Sequence, residues 1–276
     1  MQLRLPFFAM AAAVALFGTA SAQDDNNGDD NNGDDDDGGD DRGPDYTKLY
    51  YEGYELTYSC AERSAIRWYY TLAEDFNRAG RPASFFLDPN YSKECQQKST
   101  KAYGAKSGYD RGHLVASSHM RNSENERHES HYMTNIAPQI SSFNQGQYVK
   151  TESLEACFRT MHGGTRTFGG LKYNETDNDD FEGEWGIKTP DYWWKVVVAV
   201  DDDGNDADVI AWWFPNRKGL TAVEDYITSI EFIESQLEDG LGGLDVADEL
   251  KGVVADGMWK IPSGCGRGGT ESVQDN

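Results

Sequence analysis

The sequence predicts a domain built from both β-strands and α-helices, and three observations support this prediction. Residues 190–200 form an apolar run typical of a buried strand, and residues 209–214 form a second run after a turn at Gly204. Two such runs joined by a short turn predict an antiparallel hairpin. Residues 144–161 and 221–239 carry apolar side chains at three- and four-residue spacing, which predicts two amphipathic helices.

The N-terminal half of the domain is predicted to contain strands separated by loops. Residues 49–58 interleave aromatic and polar side chains, as half-buried strands do, and residues 67–72 follow as the next strand. Residues 83–88 are expected to form a further short strand, and residues 90–108 a polar loop. Residues 124–130 are too hydrophilic for a core and predict an exposed helix or loop.

Residues 1–22 have the composition of a secretory signal peptide. One arginine near the start is followed by an apolar run at 7–17 and by Ala-Ser-Ala, a small-residue cleavage pattern. The run is too short to span a bilayer, and no other segment is long and apolar enough to do so. We therefore expect a soluble exported protein, secreted to the extracellular space or the periplasm, with no membrane partner.

Export makes the four cysteines expected disulfide partners. Four cysteines allow three pairings. We favour Cys60–Cys95 together with Cys157–Cys265, because the second bridge would tie down the C-terminal end of the domain. On the sequence alone the other two pairings stay open.

The formal net charge of −23 excludes the broad basic surface that proteins use to bind polyanions. Part of the excess lies in residues 23–43, where ten aspartates are interspersed with asparagine and glycine. This composition cannot bury a core and predicts a disordered, solubilising segment. Weak multivalent calcium binding by its carboxylates is the alternative. Any polyanion would have to be held by a local cluster of cations, namely Arg111, Arg121, Arg127 and Lys150.

Residues 109–155 concentrate the side chains suited to catalysis, including four of the five histidines. Asp110–His113 places an acid, a fixed cation, a turn-forming glycine and a base in consecutive positions. Histidine accepts protons near neutral pH, and the planar fork of arginine matches phosphate oxygens. Asn135 and Asn144 add neutral oxygen donors. Base, phosphate clamp and oxygen ligand together predict metal-assisted phosphodiester hydrolysis.

Three blocks follow one another along this stretch: DRGH at 110–113, N-x-x-P-Q at 135–139, and Asn144 followed by an acid at Glu152. In this order and approximate spacing, the chain resembles the DNA/RNA non-specific endonuclease family, the ββα-metal nucleases. The fold that the resemblance implies is α+β, with a mostly antiparallel central sheet flanked by helices and a ββα-metal active-site motif.

The resemblance also bounds the domain and its activity. It favours one nuclease domain at residues 44–265, followed by a flexible tail at 266–276. It implies a Mg²⁺-dependent endonuclease that cleaves DNA and RNA without sequence specificity and leaves 5′-phosphates, with Mn²⁺ or Ca²⁺ as substitute ions. The oligomeric state stays open, a homodimer being one alternative. An acidic extracellular cation-binding protein on a nuclease-like scaffold is the alternative from another functional class.

The resemblance assigns a role to each residue that matches the family's blocks. His113 would be the general base that deprotonates a water molecule, and Asn144 would bind a single metal ion. Arg111 would neutralise a phosphate oxygen, while Asp110, on the substrate side, would orient Arg111 or its loop. Asn135 would support the shape of the site.

Two candidates remain for the acid that holds a metal-bound water. Glu152 keeps the family's spacing from Asn144, whereas Glu155, preceded by leucine, keeps the family's residue types. We favour Glu152, which should project from the same helix about two turns after Asn144.

Of the other histidines of this stretch, His119 is expected to be structural, and His128 and His131 are expected to be exposed or structural. A second titrating group near the site is the alternative for His119. His128-x-x-His131 is compatible with zinc, but no third ligand has a suitable spacing.

Overall fold

The computed structural model describes residues 45–265, except residues 76, 102, 104–106, 162, 175–176 and 262–264. The predicted signal peptide, the acidic segment at 23–43, the tail at 266–276 and His162 lie outside the described residues. Within the part of the chain that is described, no helix is long and apolar enough to cross a membrane.

The strands form one large sheet and one small one. They are β1 (Tyr46–Tyr51), β2 (Tyr54–Ser59), β3 (Ser64–Leu72), β4 (Tyr109–His113), β5 (Ile136–Ile140), β6 (Thr165–Lys172), β7 (Tyr192–Val200), β8 (Asp206–Pro215) and β9 (Ile227–Thr228). Seven of them form an antiparallel sheet in the order β1-β2-β3-β6-β7-β8-β9, and β4 pairs with β5 as a separate antiparallel ribbon. The mostly antiparallel α+β architecture expected from the sequence is confirmed.

The helices are short and lie between or after the strands. The α-helices are α1 (Glu124–Glu129), α2 (Ser141–Phe143), α3 (Val149–Phe158), α4 (Glu182–Trp185), α5 (Ile230–Gln236) and α6 (Asp248–Lys251). A π-helical turn, Asn144–Tyr148, joins α2 to α3 without a break. Single 3₁₀ turns occur at Lys93–Cys95, Met133–Asn135 and Val223–Tyr226.

Strand β7 is buried on both faces of the large sheet. On one face Trp193 and Val197 pack in the core that includes β4, β5 and α3, and on the other Val196 and Val198 pack in the core that includes α5. Each such side chain contributes about 1.5–3 kcal/mol when fully buried. A strand covered on both faces needs a continuous apolar run, and the sequence shows this signal for β7.

The tryptophans of the sheet serve the core. Trp193, Trp194 and Trp212 are fully buried, so they offer no platform on which bases could stack. Gly169 and Gly170 of β6 make room for two of the indoles, since a Cβ at either position would overlap the ring of Trp68 or Trp194. Core packing is therefore what the structure shows for these indoles.

Several predictions about the N-terminal half need correction. Residues 49–58 are not one strand but the β1–β2 hairpin, which turns at Gly53, whose φ of +90° suits glycine. Residues 83–88 form only an isolated bridge, between Phe86 and Tyr132. Helix α1 forms within 124–130, but Arg127 is 1% exposed, so this segment is not simply a surface element.

The prediction of a helix at 221–239 is also wrong for most of that segment. A 3₁₀ turn comes first, then Ile227 and Thr228 pair with β8, and only Ile230–Gln236 is α-helical. The side chain of Ser229 caps that helix by accepting a hydrogen bond from the amide of Phe232. A β-branched pair followed by a helix-capping serine favours this break, although the apolar spacing continues across it.

Both predicted disulfides are confirmed. Cys60 bonds Cys95, and Cys157 bonds Cys265, with Cα–Cα distances of 4.4 and 5.7 Å. The second bridge ties the end of the described chain to α3, the helix that carries Glu152.

Candidate active site

Two of the three sequence blocks form the two strands of one ribbon. DRGH is strand β4 and the N-x-x-P-Q block runs into β5, with His113 opposite Ile136 and Asp110 opposite Gln139. His113 is the last residue of its strand, where side chains leave the sheet towards a loop. Residues that are 20 or more positions apart in the chain are therefore adjacent in the fold.

Asn135 fixes the loop that begins after His113. Its Oδ1 accepts a hydrogen bond from the amide of Val115 (3.0 Å), and its Nδ2 donates to the carbonyls of Val115 and Ser130 (both 2.9 Å). Its own carbonyl accepts from the amide of Leu114 at 3.0 Å. Asn135 is fully buried, and its side-chain groups are all used, so it can support the site without touching a substrate.

Gly112 is needed for close packing and not for a turn. It lies within β4 and does not have a positive φ. A Cβ there would lie 2.5 Å from Gln139 Cβ and Oε1 and 3.0 Å from the ring of Trp193. Gln139, whose side-chain Nε2 and Oε1 have no hydrogen-bond partner among the described residues, is thus pressed against the strand between Arg111 and His113.

Asp110, expected to orient Arg111 or its loop, accepts hydrogen bonds from Asn144 and from two of its neighbours in the chain. Its Oδ2 accepts hydrogen bonds from Asn144 Nδ2 (2.8 Å) and Gln145 Nε2 (2.9 Å), and its Oδ1 accepts one from Ser141 Oγ (2.7 Å). These bonds hold the amide nitrogen of Asn144 towards Asp110. The amide oxygen accepts no hydrogen bond from the described residues and is therefore available to a hard cation.

The donor set fits Mg²⁺ in a site that relies on water. Among the described residues no group of three or more His, Cys, Asp or Glu side chains is arranged to hold a metal. Magnesium keeps several of its waters and needs few protein ligands. One oriented amide oxygen, with substrate phosphate and water completing the shell, meets that requirement.

The phenyl ring of Phe85 packs against Arg111 and two histidines. The Arg111 guanidinium carbon lies 4.5 Å from the ring centroid, and the rings of His113 and His131 lie at 5.5 and 5.1 Å. Arg111 Nη1 also donates to the carbonyl of Thr100 at 3.2 Å. Arg111 therefore packs on the same phenyl ring as His113, and its hydrogen bond to Thr100 fixes one side of the guanidinium group.

The environment of His113 keeps its imidazole neutral. Burial lowers the pKa of His113 well below its usual value, and the nearby His131, Arg81, Arg127 and Arg111 lower it further. A neutral imidazole can accept a proton at neutral pH, as a general base must. Arg81 is a residue that sequence reasoning missed, because it lies 29 positions before Asp110 in a stretch without a motif.

The predicted four-cation cluster does not form. Arg121 pairs with Asp75 at 2.6 Å, Arg127 is 1% exposed, and Lys150 is exposed on α3. Of that set, Arg111 and the buried Arg127 are near enough to His113 for their charges to lower its pKa. Arg81, which was not in the predicted set, also acts on the pKa values of His113, His131 and Glu152.

Asn144 was expected at the N-terminus of its helix, and this is wrong. Helix α2 precedes it, so Asn144 opens the π-helical turn inside a continuous helical segment. Glu152 lies eight positions after Asn144, about one position more than two α-helical turns span. A π turn accommodates one extra residue. We therefore expect Asn144 and Glu152 to face the same side of this segment.

The two candidate acids have different surroundings. Glu155 is fully buried, and its carboxylate accepts hydrogen bonds from Lys195, Tyr70 and Thr167. Glu152 is partly buried, and burial raises its pKa to about 7, against the opposing charge of Lys195. Glu155 is enclosed by its hydrogen-bond partners, whereas Glu152 keeps part of its surface exposed, so the arrangement favours Glu152 for holding water at a metal.

His119, His128 and His131 are packed side chains, as expected. His119 and His131 are each 1% exposed, and burial lowers the pKa of each to about 4. The ring of His128 packs on Phe86 at 4.4 Å between centroids. His131 lies closer to the site than its spacing suggested, with its ring 5.3 Å from that of His113.

Comparison with known proteins identifies the family. The family model for DNA/RNA non-specific endonucleases matches residues 40–252, most of the chain. The chain belongs to this family. This membership favours an enzyme over the alternative of a cation-binding protein on a nuclease-like scaffold.

Curated relatives of this endonuclease are distant and only partly covered. Bovine mitochondrial endonuclease G is 26% identical over 171 residues, 56% of this chain and 55% of the relative. Mitochondrial nuclease 1 of Schizosaccharomyces pombe is 25% identical over 151 residues, 50% of this chain and 46% of the relative. The chain spans about half the length of the curated relatives it matches.

A solved structure shares the fold. A chain from a crystal structure of the EndoG/EndoGI complex, whose subject is the mechanism of EndoG inhibition, superimposes with a TM-score of 0.58 at 19% identity. The match covers 68% of this endonuclease and 82% of that chain. At this identity the likeness concerns the fold alone.

The prediction of an exported protein is contradicted. The curated relatives, including human endonuclease G, are mitochondrial proteins. The prediction rested on a short apolar run after a single arginine. That pattern specifies little beyond an N-terminal apolar segment, and residues 1–22 lie outside the described residues.

Proposed function

We propose that this endonuclease hydrolyses the phosphodiester bonds of DNA and RNA with a divalent ion, Mg²⁺ in the first place, held at Asn144. The hydrogen bond from Asn144 to Asp110 carries this proposal, because Asp110 belongs to the same strand as His113. This hydrogen bond fixes the amide oxygen of Asn144 relative to strand β4, which ends at His113, the proposed base.

The reaction follows from the side chains present. His113 accepts a proton from water as the water oxygen attacks phosphorus, and the bond from phosphorus to the 3′ oxygen breaks. One fragment then carries a 5′-phosphate and the other a 3′-hydroxyl. Arg111, packed on the Phe85 ring beside His113, would neutralise a phosphate oxygen, and Arg81, whose charge acts on His113, would add positive charge there. Glu152 would orient a water molecule at a bound ion. A bound divalent ion would supply positive charge against the charge that develops on the phosphate and the leaving oxygen.

Substrate breadth is inferred from the proposed contacts of the described residues. They address the phosphate, which DNA and RNA share, and Trp193, Trp194 and Trp212 are buried away from any base. We therefore expect cleavage of both polymers. A homodimer remains a prediction, since the oligomeric state does not follow from one chain.

Plasmid nicking tests the proposal. We expect the purified protein to nick plasmid DNA and degrade RNA with Mg²⁺ and to stop when EDTA is added. His113→Ala should lower kcat by about 10²- to 10⁴-fold, the usual contribution of a positioned base. His128→Ala is the matched control, because that ring packs on Phe86 outside the proposed chemistry. Full activity of His113→Ala would overturn the assignment of the base.

A further inference from the structure

A buried polar cluster lies between helix α3 and the central sheet. Its centre is Glu155, whose Oε1 accepts a hydrogen bond from Lys195 Nζ at 2.7 Å. Its Oε2 accepts from Thr167 Oγ1 at 3.0 Å and from the hydroxyl of Tyr70, and His119 Nδ1 lies 3.8 Å from it. All five side chains are at most 1% exposed. The cluster joins α3, β3, β6, β7 and the loop after β4.

The cluster contains one complete ion pair out of contact with water. Burial by itself would raise the pKa of Glu155, but the charge of Lys195 and the hydrogen bonds to the carboxylate lower it below its usual value. Glu155 is therefore ionised, and Lys195 is its counter-ion. Removing one partner would leave a charge in the core with nothing to balance it.

The cluster contacts three segments that carry the proposed site. Glu155 lies one helical turn after Glu152 on α3. His119 Nε2 lies 3.2 Å from the carbonyl oxygen of Glu152. The Lys195 ammonium lies 4.4 Å from the ring centroid of Tyr148, the last residue of the π turn that Asn144 opens. His119 itself follows His113 by six residues.

We propose that Glu155 and Lys195 are positioning residues, which fix helix α3 and the π turn on the sheet so that Glu152 and Asn144 meet the substrate together. Neither residue touches the substrate, because both are enclosed. The inference rests on the proposed function, since it gives Glu152 and Asn144 their roles. A displacement of about 1 Å at a reacting group can cost 100-fold in rate, so a pair remote from the phosphate can still control kcat.

Three variants test the pair: Glu155→Gln, Lys195→Met and the double variant. Each single variant should lower kcat at saturating Mg²⁺ by about 10-fold or more, with KM for DNA within about twofold of wild type. The double variant leaves no unpaired charge and should regain part, but not all, of the lost kcat.

Val198→Ala is the matched control. It lies on β7 like Lys195 but in the core on the other face of the sheet, so it should lower Tm while kcat stays at the wild-type value. The inference is overturned if Glu155→Gln lowers Tm as this control does and keeps the wild-type kcat. If the single variants do not fold, the double variant decides, and a wild-type kcat there also overturns the inference.

Failure of the proposed function gives a different result. In that case the wild type shows no Mg²⁺-dependent cleavage, or His113→Ala cleaves normally. With an active wild type, Glu152→Gln should lower kcat as well. Full activity of Glu152→Gln beside an inactive Glu155→Gln would overturn the positioning role and make Glu155 the acid of the site.

Discussion

At the scale of single residues, the proposed metal site depends on the orientation of one amide. The amide of Asn144 can present either its oxygen or its nitrogen to the site. Its Nδ2 donates a hydrogen bond to Asp110 Oδ2 at 2.8 Å, which leaves the oxygen for the site. Ser141 and Gln145 donate to the same carboxylate, so Asp110 is held as firmly as it holds Asn144. Asp110, which would select the oxygen of Asn144 as the ligand atom, thus lies on a different element, strand β4.

Asp110→Asn should weaken metal binding more than DNA binding. An amide at position 110 cannot accept from all three donors, so the oxygen of Asn144 loses its fixed direction. Changes of this kind outside the ligand shell typically cost about 10- to 100-fold in metal affinity or activity. We expect the Mg²⁺ concentration for half-maximal nicking to rise by about 10-fold, measured in a Mg²⁺ titration. Asp208→Asn, an exposed site on β8, is the control, and an unchanged Mg²⁺ requirement in Asp110→Asn would contradict the role.

The sequence suggested which residues carry the proposed chemical roles but not which partners hold them. His113 and Asn144 belong to recognisable blocks, whereas the link from Asp110 to Asn144 depends on how β4 docks against the helix. Arg81 belongs to no block, and its proximity to His113 follows from tertiary packing. The same packing places Asp75 beside Arg121 and removes that cation from the expected cluster.

At the scale of elements, the β4–β5 ribbon brings two blocks together only because its strands approach closely. Gly112 pairs with Ala137, and the side chain of Gln139 fills the space that a Cβ at position 112 would occupy. Both the pairing of the two strands and their close packing therefore depend on Gly112, which lies between Arg111 and His113.

Gly112→Ala should therefore destabilise the protein and reduce activity. Overpacking of this kind typically costs about 1–3 kcal/mol, and any shift of β4 moves His113. Gly146→Ala is the control, because a Cβ there meets nothing within 4 Å and helical glycine is less stable than alanine by about 0.5–1 kcal/mol. Urea unfolding and nicking should show a loss for Gly112→Ala only. An equal effect of both variants would refute the packing argument.

Elements with a single unambiguous pattern were predicted well. Strands β7 and β8 show the apolar runs of buried strands, and both formed as expected. The segment at 221–239 has helical spacing throughout, yet its first part pairs with β8, since an exposed sheet edge offers hydrogen bonds that the spacing does not reveal. The π turn was also missed, because the apolar positions of residues 144–161 fit an uninterrupted α-helical spacing.

At the scale of the whole molecule, the packed interior encloses several histidines whose neutrality depends on the fold. His119 and His131 have pKa values of about 4 in the folded protein, below the value near 6.5 for an unfolded chain. Between those values the unfolded state binds more protons, so stability falls as the pH falls from about 6.5 to 4. Glu152, with its pKa raised to about 7, acts in the opposite direction, but His113 adds to the histidine effect.

The variant His131→Phe isolates one of these contributions. Phenylalanine keeps a ring against Phe85, whose centroid lies 5.1 Å from that of His131, but it does not titrate. The wild type should lose stability relative to the variant by up to about 1.4 kcal/mol per pH unit as the pH falls from 6.5 to 4. Urea unfolding at several pH values measures this, with Val198→Ala as a control whose offset from wild type should not vary with pH. A constant offset for His131→Phe would mean that His131 titrates alike in both states, and the fold would then not hold this histidine neutral beside His113.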